Sequence, residues 1–271
     1  MSADIFAGQL TDADLLAELY DLEHDEVTDD LVFYREMAAR HRGPALDLGC
    51  GSGRIFASLL EGGAKPIVGV DGSPALLRRA EARIGGDERL SRAMADGELA
   101  LVAGDVRQLG GLGRSERFRL VVAAGVLPHL DGPEEAMLML AGVARLLAGD
   151  GRLVLDDLGP GLLPTRDLPL SVDWRRTLGG REVVRRSQLM LREAPEGLRV
   201  AFSTMVDLGQ ADGTIARLPA NHRLWYPYTE ALLSLVREAG LAVELAYGSH
   251  DLDPLEEDSV RRIMVIRATA G

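Results

Sequence analysis

The sequence predicts an α/β protein, a doubly wound and mostly parallel sheet with an antiparallel β addition. Three observations predict it. Short apolar runs alternate with helical segments between residues 44 and 156, and strands that are apolar almost throughout are those buried on both faces. A glycine cluster, Gly49-Cys50-Gly51-Ser52-Gly53, joins the first run to the next helix. Beyond Gly159 the pattern changes to period two, the mark of a strand wet on one side.

The elements follow in order. Thr11 N-caps an amphipathic helix over DADLLAELYDL, and Thr28 caps a second over DDLVFYREMAARH with Asp29 and Asp30 in its first turn. Residues 44–48 form the first strand, and a helix from Arg54 ends at Gly62-Gly63. Residues 66–70 form strand two, closed by Asp71, and Ser73-Pro74 opens the next helix. Residues 99–104, 118–124 and 151–156 form strands three to five, with a helix from Pro133 before the fifth. In 198–208, Leu198, Val200, Phe202, Thr204, Val206 and Leu208 share one face. Gly179-Gly180 and Pro195-Glu196-Gly197 sit at hairpin turns, so 172–226 reads as three or four antiparallel strands. Thr229 caps a helix ending at Gly240, and 241–247 with 260–268 form a closing antiparallel pair.

Composition excludes several classes. The 271 residues carry a net charge of −12 and one cysteine, so neither a disulfide scaffold nor a cysteine zinc site is expected. No His pair has H-x-x-x-H spacing, and no metal is expected. The absence of an 18-residue apolar run and of a basic leader predicts a cytoplasmic protein that neither spans nor binds a membrane. A net negative charge also argues against nucleic acid as a partner. The twelve aromatics are segregated: residues 57–173 contain only Phe118, whereas the N-terminal segment and 174–228 hold nine.

The chemistry concentrates at residues 45–54, ALDLGCGSGR. Glycines allow positive φ and close approach of backbone N–H groups to a ligand, and the following helix adds partial positive charge. The spacing is G-x-G-x-G rather than the dinucleotide G-x-G-x-x-G, with Arg54 in the third dinucleotide position. Asp71 stands 18 residues past Gly53, where a carboxylate would accept from both hydroxyls of a ribose. A nucleoside bearing an amino acid rather than phosphates suits such a loop.

The ordered set D-L-G-C-G-S-G-R, V-G-V-D-G-S-P, G-D-V and G-R-L-V-L resembles class I S-adenosylmethionine-dependent methyltransferases of the small-molecule type. The resemblance covers about 12–156 and 228–268. It implies a Rossmann-like seven-stranded sheet of order 3-2-1-4-5-7-6 with strand seven antiparallel, and S-adenosyl-L-methionine as cofactor. The implied organisation is a helical lid segment (1–42), a cofactor domain (43–158 and 228–271) and an antiparallel insertion (159–227) acting as substrate lid or dimer element. By the same resemblance Gly49, Gly51 and Gly53 line the methionine portion, and Asp47, Cys50 and Arg54 are also expected at the cofactor. Asp71, Gly72 and Ser73 take the ribose and adenine edge, Asp105 and Val106 the adenine, and Ala124, Gly125 and Val126 face the sulfonium. The additions are similar to glycine N-methyltransferase-like enzymes and sugar-amine N-methyltransferases of natural-product biosynthesis.

His129, just past strand four, is the first choice of acid–base residue, with His222 and Tyr20 behind it. A sulfonium is a cation and aromatic faces attract cations, so Tyr34, Trp174, Trp225 and Tyr226, with Arg223, are expected at the substrate. The expected reaction is methyl transfer to a soluble small molecule, with an amine preferred over an oxygen or carbon acceptor. A cofactor-retaining cyclase or rearrangement catalyst on the same fold is the alternative. A free edge of the insertion would be covered by pairing across a two-fold, so a homodimer is among the expectations.

Overall fold

In the computed structural model, residues 12–112, 117–178 and 180–269 are described. The chain runs α1 (Asp12–His24), α2 (Leu31–Arg40), β1 (Gly43–Leu48), α3 (Phe56–Glu61), β2 (Ala64–Asp71), α4 (Pro74–Gly86), α5 (Glu88–Ala95), β3 (Leu99–Ala103), β4 (Phe118–Ala124), α6 (Pro133–Leu146) and β5 (Leu147–Leu158). It continues with β6 (Leu168–Leu178), β7 (Arg181–Ala194), β8 (Gly197–Gly209), β9 (Ile215–Pro227), α7 (Thr229–Glu238), β10 (Leu241–Tyr247) and β11 (Arg261–Ala268). A single 3₁₀ turn, Leu127–His129, follows β4.

The main sheet has seven strands in the order β10-β11-β5-β4-β1-β2-β3. Strands β1 to β5 pair in parallel, and β11 runs antiparallel to both β5 and β10. This is the order 3-2-1-4-5-7-6, with the closing pair supplying its last two strands. One face buries Leu46, Leu48, Val121, Leu153 and Leu155 against α6 and α7. The other buries Ala45, Ile67, Leu120, Val122 and Val154 against α2, α3 and α4. Burial on both faces is why these strands read as unbroken apolar runs.

The second sheet has four antiparallel strands in the order β6-β7-β8-β9. Period two holds along β8: Leu198, Val200, Thr204, Val206 and Leu208 are buried. Helix α1 packs on that face, where Leu19 joins Val183, Val206, Leu208 and Leu218.

The structure revises several local expectations. Thr11 lies outside the described residues. The second helix starts at Leu31, two residues later than expected; its N-cap is Asp30, whose carboxylate makes no cap bond and turns to Arg54 instead (Oδ1–Nη1 2.8 Å). Thr229 opens α7 but does not cap it; the N-cap is Tyr228, which makes no side-chain cap bond. Helix α5 adds to the elements expected from the sequence. Its N-cap Asp87 accepts from the amides of Arg89 and Leu90 at 2.8 and 3.1 Å, a legible capping signal.

Candidate active site

The site is assembled at the carboxyl ends of β1, β2 and β4. Gly49, Gly51 and Gly53 all have positive φ, +65°, +56° and +75°. Their reasons differ. A Cβ on Gly49 would come within 2.7 Å of Val126 Cγ2, and one on Gly53 within 2.5 Å of the Phe56 ring. These two glycines let the loop close on its own core. A Cβ on Gly51 would meet only the Tyr20 ring, 3.7 Å from its hydroxyl. Gly51 therefore faces the space beneath Tyr20, and α1 brings that tyrosine over the loop.

Asp71 holds the loop from below. Its Oδ2 accepts from the Gly51 amide at 2.8 Å, and its Oδ1 from the Ser73 amide at 2.8 Å. Each oxygen keeps a further lone pair, so the carboxylate retains the capacity expected of it. Ser73 caps α4, its Oγ accepting from Leu76 N at 3.3 Å. Asp47 ends β1 beneath the same loop, 3% exposed, with no partner for its Oδ2. Burial, and then the charge of Asp71, pushes its carboxyl up to about 8.

Helix α1 is fastened to this frame by ion pairs. Arg79 Nε donates to Asp21 Oδ2 at 2.7 Å. Arg83 joins Asp25 (2.6 Å) to the Ser52 carbonyl (2.9 Å), linking helix and glycine loop. The Tyr20 ring stacks on His24 at 3.8 Å, and burial is the first of several causes that raise its hydroxyl pKa.

Beyond the end of β4, His129 and His222 come together. Their ring centroids lie 6.3 Å apart, edge to face, with Phe202 6.1 Å beyond His222. Both rings have solvent-exposed surface, yet both are held below the ordinary imidazole value. For His129 the causes are burial and then His222, opposed by Asp71; for His222 they are burial and then Arg185. Gly125 has φ +65° and nothing within 4 Å of where a Cβ would stand, leaving the end of β4 open. Its amide donates to the Asp156 carbonyl at 2.7 Å.

The remaining expected residues are placed differently. Arg54 spends its guanidinium on Asp30 and the Val27 carbonyl (2.9 Å), tying the loop to the α1–α2 junction. Cys50 turns its thiol into the core, and burial raises its pKa. Asp105 is bound by Arg107, whose Nε lies 2.8 and 2.9 Å from its two oxygens, and Val106 packs at the edge of the core. Gly72 is exposed, and Ala124 packs partly into the core.

The expected aromatic lid is largely core. Tyr34 is fully buried and donates to Asp156 Oδ2 at 2.5 Å, alongside His250 Nε2 at 2.7 Å and Arg261. Trp225 is 1% exposed and packs into the main core, and Tyr226 joins a cluster with Leu198 and Val200. Trp174 packs on α1, donating to Glu23 Oε1 at 3.2 Å. Arg223 follows His222 on β9 and so points from the opposite face of the sheet. It lines a different recess, together with Trp225. Side chains of adjacent strand residues leave from opposite faces, an alternation legible in the sequence.

Residues 46–155 match the family described as methyltransferase domain. This stretch is a methyltransferase domain. The cofactor of this domain class is S-adenosylmethionine, and a matching solved structure is of the SAM-bound CalS10, an amino pentose methyltransferase from Micromonospora echinaspora. The methyltransferase fold extends over nearly the whole chain. The CcbJ methyltransferase from Streptomyces caelestis aligns over 96% of this chain and 98% of its own, with a TM-score of 0.73 at 23% identity. The sugar N-methyltransferase KedS8 from a Streptoalloteichus species aligns over 98% of both chains, with a TM-score of 0.69 at 20% identity. Among curated proteins, a tRNA U34 carboxymethyltransferase from Shewanella loihica is 36% identical over 115 residues. That match covers 42% of this chain, which spans about a third (31%) of the relative's length. The methyltransferase domain's glycine loop, the unpartnered Oδ2 of Asp47 and the open Gly125 fit such a cofactor: an orphaned buried oxygen beneath the loop and space free of side chains at the end of β4. Among the described residues no helix is long and apolar enough to cross a membrane.

Proposed function

We propose that the chain transfers a methyl group from S-adenosylmethionine to an amine nitrogen of a small molecule. The observation behind this reading is the His129–His222 pair. Two imidazoles held below their ordinary value are neutral at pH 7, and a neutral imidazole accepts a proton. An amine acceptor arrives mostly as an inert ammonium, so it needs such a base. The solved structures with this fold include sugar and glycopeptide N-methyltransferases, which supports the choice of nitrogen.

Each residue has a role in this reading. Asp71 would hold the ribose hydroxyls through its remaining lone pairs. The backbone of Gly49 and Gly51 would line the amino-acid portion, with Asp47 beneath it. Asp105 and Val106 would meet the base, Asp105 while held by Arg107. Tyr20 would cover the loop and shield it from water. When bound, the cofactor supplies a methyl group activated by its sulfonium. His129 removes the proton from the acceptor nitrogen, His222 and Phe202 wall the approach, and orientation supplies much of the rest.

The test is incubation with radiolabelled methyl cofactor and matched acceptors, an amino sugar and its hydroxyl counterpart among them. Label should pass to the amine and not to the hydroxyl compound. Transfer only to oxygen or carbon would overturn the nitrogen assignment, and no transfer to any acceptor while S-adenosylhomocysteine still binds would overturn methyl transfer itself.

A further inference from the structure

We propose that the outer face of the second sheet carries an oxyanion-binding recess, built for a carboxylate or phosphate borne on an apolar body. It does not depend on the methyl-transfer reading.

Charge is strongly segregated in this chain. Residues 168–227 hold nine arginines against six carboxylates, a net +3, so the rest of the chain carries −15. Most of the nine are neutralised. Arg175 pairs with Glu182, Arg176 with Glu26, Arg185 with Glu23 and Asp173, Arg199 with Glu196, and Arg186 and Arg217 share Asp207. Arg181 bonds to Gln210. Arg192 and Arg223 have no carboxylate partner among the described residues.

These two line the same recess. Register places Arg192 beside Arg199, and Arg223 beside Ala201 with Met190 on the other side. Arg192 donates to the Leu191 carbonyl at 2.5 Å, and the two guanidinium groups without a carboxylate partner stand diagonally across β8, on the face of the short side chain of Ala201. The recess has a volume of about 270 Å³, and Met190 and Trp225 contribute apolar wall. Leu130 and Asp131 form its rim; Asp131, 3.6 Å from Arg199, is the carboxylate there. An anion in the recess would meet two positive charges that no carboxylate offsets. Guanidinium groups bind carboxylate and phosphate through paired N–H donors. The exposed Met190 (46%) gives an attached apolar group a surface to cover.

Trp225 lines the recess and reports on it. The chain has two tryptophans, so Trp174→Phe leaves Trp225 as the sole reporter. Inorganic phosphate and benzoate, titrated separately at low salt, should each give a saturable change in emission that weakens as salt rises. Arg192→Gln and Arg223→Gln should each raise the apparent Kd roughly tenfold, the scale for one charge-assisted hydrogen bond. Arg175→Gln, which removes the same charge elsewhere on the insertion, should leave it unchanged. Tighter binding of benzoate would identify a carboxylate on an apolar body, and tighter binding of phosphate a phosphate ligand; either supports the recess. No saturable change with either probe, or equal weakening by Arg175→Gln, would overturn it.

Discussion

His129 and His222 meet edge to face at 6.3 Å although 93 positions separate them in the chain. One ends the turn after β4 and the other belongs to β9. Docking of the second sheet against the carboxyl end of the first is what makes them a pair.

That pair sets the expected pH dependence. Both pKa values are lowered, so the acid limb of kcat should fall below the ordinary imidazole value of about 6.5. His129→Ala should cost roughly 10²–10⁴-fold in kcat. With His222→Ala the losses should not add, because touching groups that act together are coupled. Steady-state rates across pH for the three variants check this. An unchanged acid limb in His129→Ala would remove the base role.

Asp71 has two tasks, bracing the loop and accepting from a ribose. Asp71→Ala should weaken S-adenosylhomocysteine binding by about 1.5–3 kcal/mol. Asp71→Asn, which keeps one acceptor oxygen, should lose less. Calorimetry measures both, and unchanged affinity in the alanine variant would place the ribose elsewhere.

Gly49 and Gly51 should fail in different ways. Gly49→Ala meets Val126 at 2.7 Å and should lower Tm. Val126→Ala should restore part of that loss, leaving about 1–2 kcal/mol of left-handed backbone strain. Gly51→Ala meets no core atom, so its Tm should fall by the strain alone while cofactor affinity falls further. Thermal melts with and without S-adenosylhomocysteine separate the two.

Tyr34 belongs to the core rather than to a lid. Tyr34→Phe removes a buried hydrogen bond to Asp156, which keeps His250 and Arg261. Stability in urea should drop by about 1.5–3 kcal/mol, with the acceptor KM unchanged. A raised KM at unchanged stability would return Tyr34 to the substrate.

Asp157 gives a pH dependence of stability. It is 2% exposed, neither carboxylate oxygen has a hydrogen-bond partner, and burial pushes its carboxyl up to about 7. Between about pH 4 and 7 the folded state keeps a proton that the unfolded state releases, so stability falls as pH rises through that window. Asp157→Asn should flatten this slope, raising Tm at pH 8 and changing it little at pH 4.

The sequence by itself determined the main sheet, its strand order through resemblance, the glycine loop and the position of Asp71. These rest on local patterns: apolar runs, positive-φ glycines and an acid at a strand end, whose meaning does not depend on distant partners. Period two also revealed the second sheet. Tertiary structure alone decided what the aromatic and charged side chains do. Tyr34 reads identically as lid or as core, and only the arrival of Asp156, 122 residues away, makes it a buried donor. Arg54 could serve a ligand or a neighbour until Asp30 is brought within 2.8 Å. Trp225 and Arg223 were separated from the cleft by the orientation of β9, because a strand sends successive side chains to opposite faces and only packing decides which face meets the site.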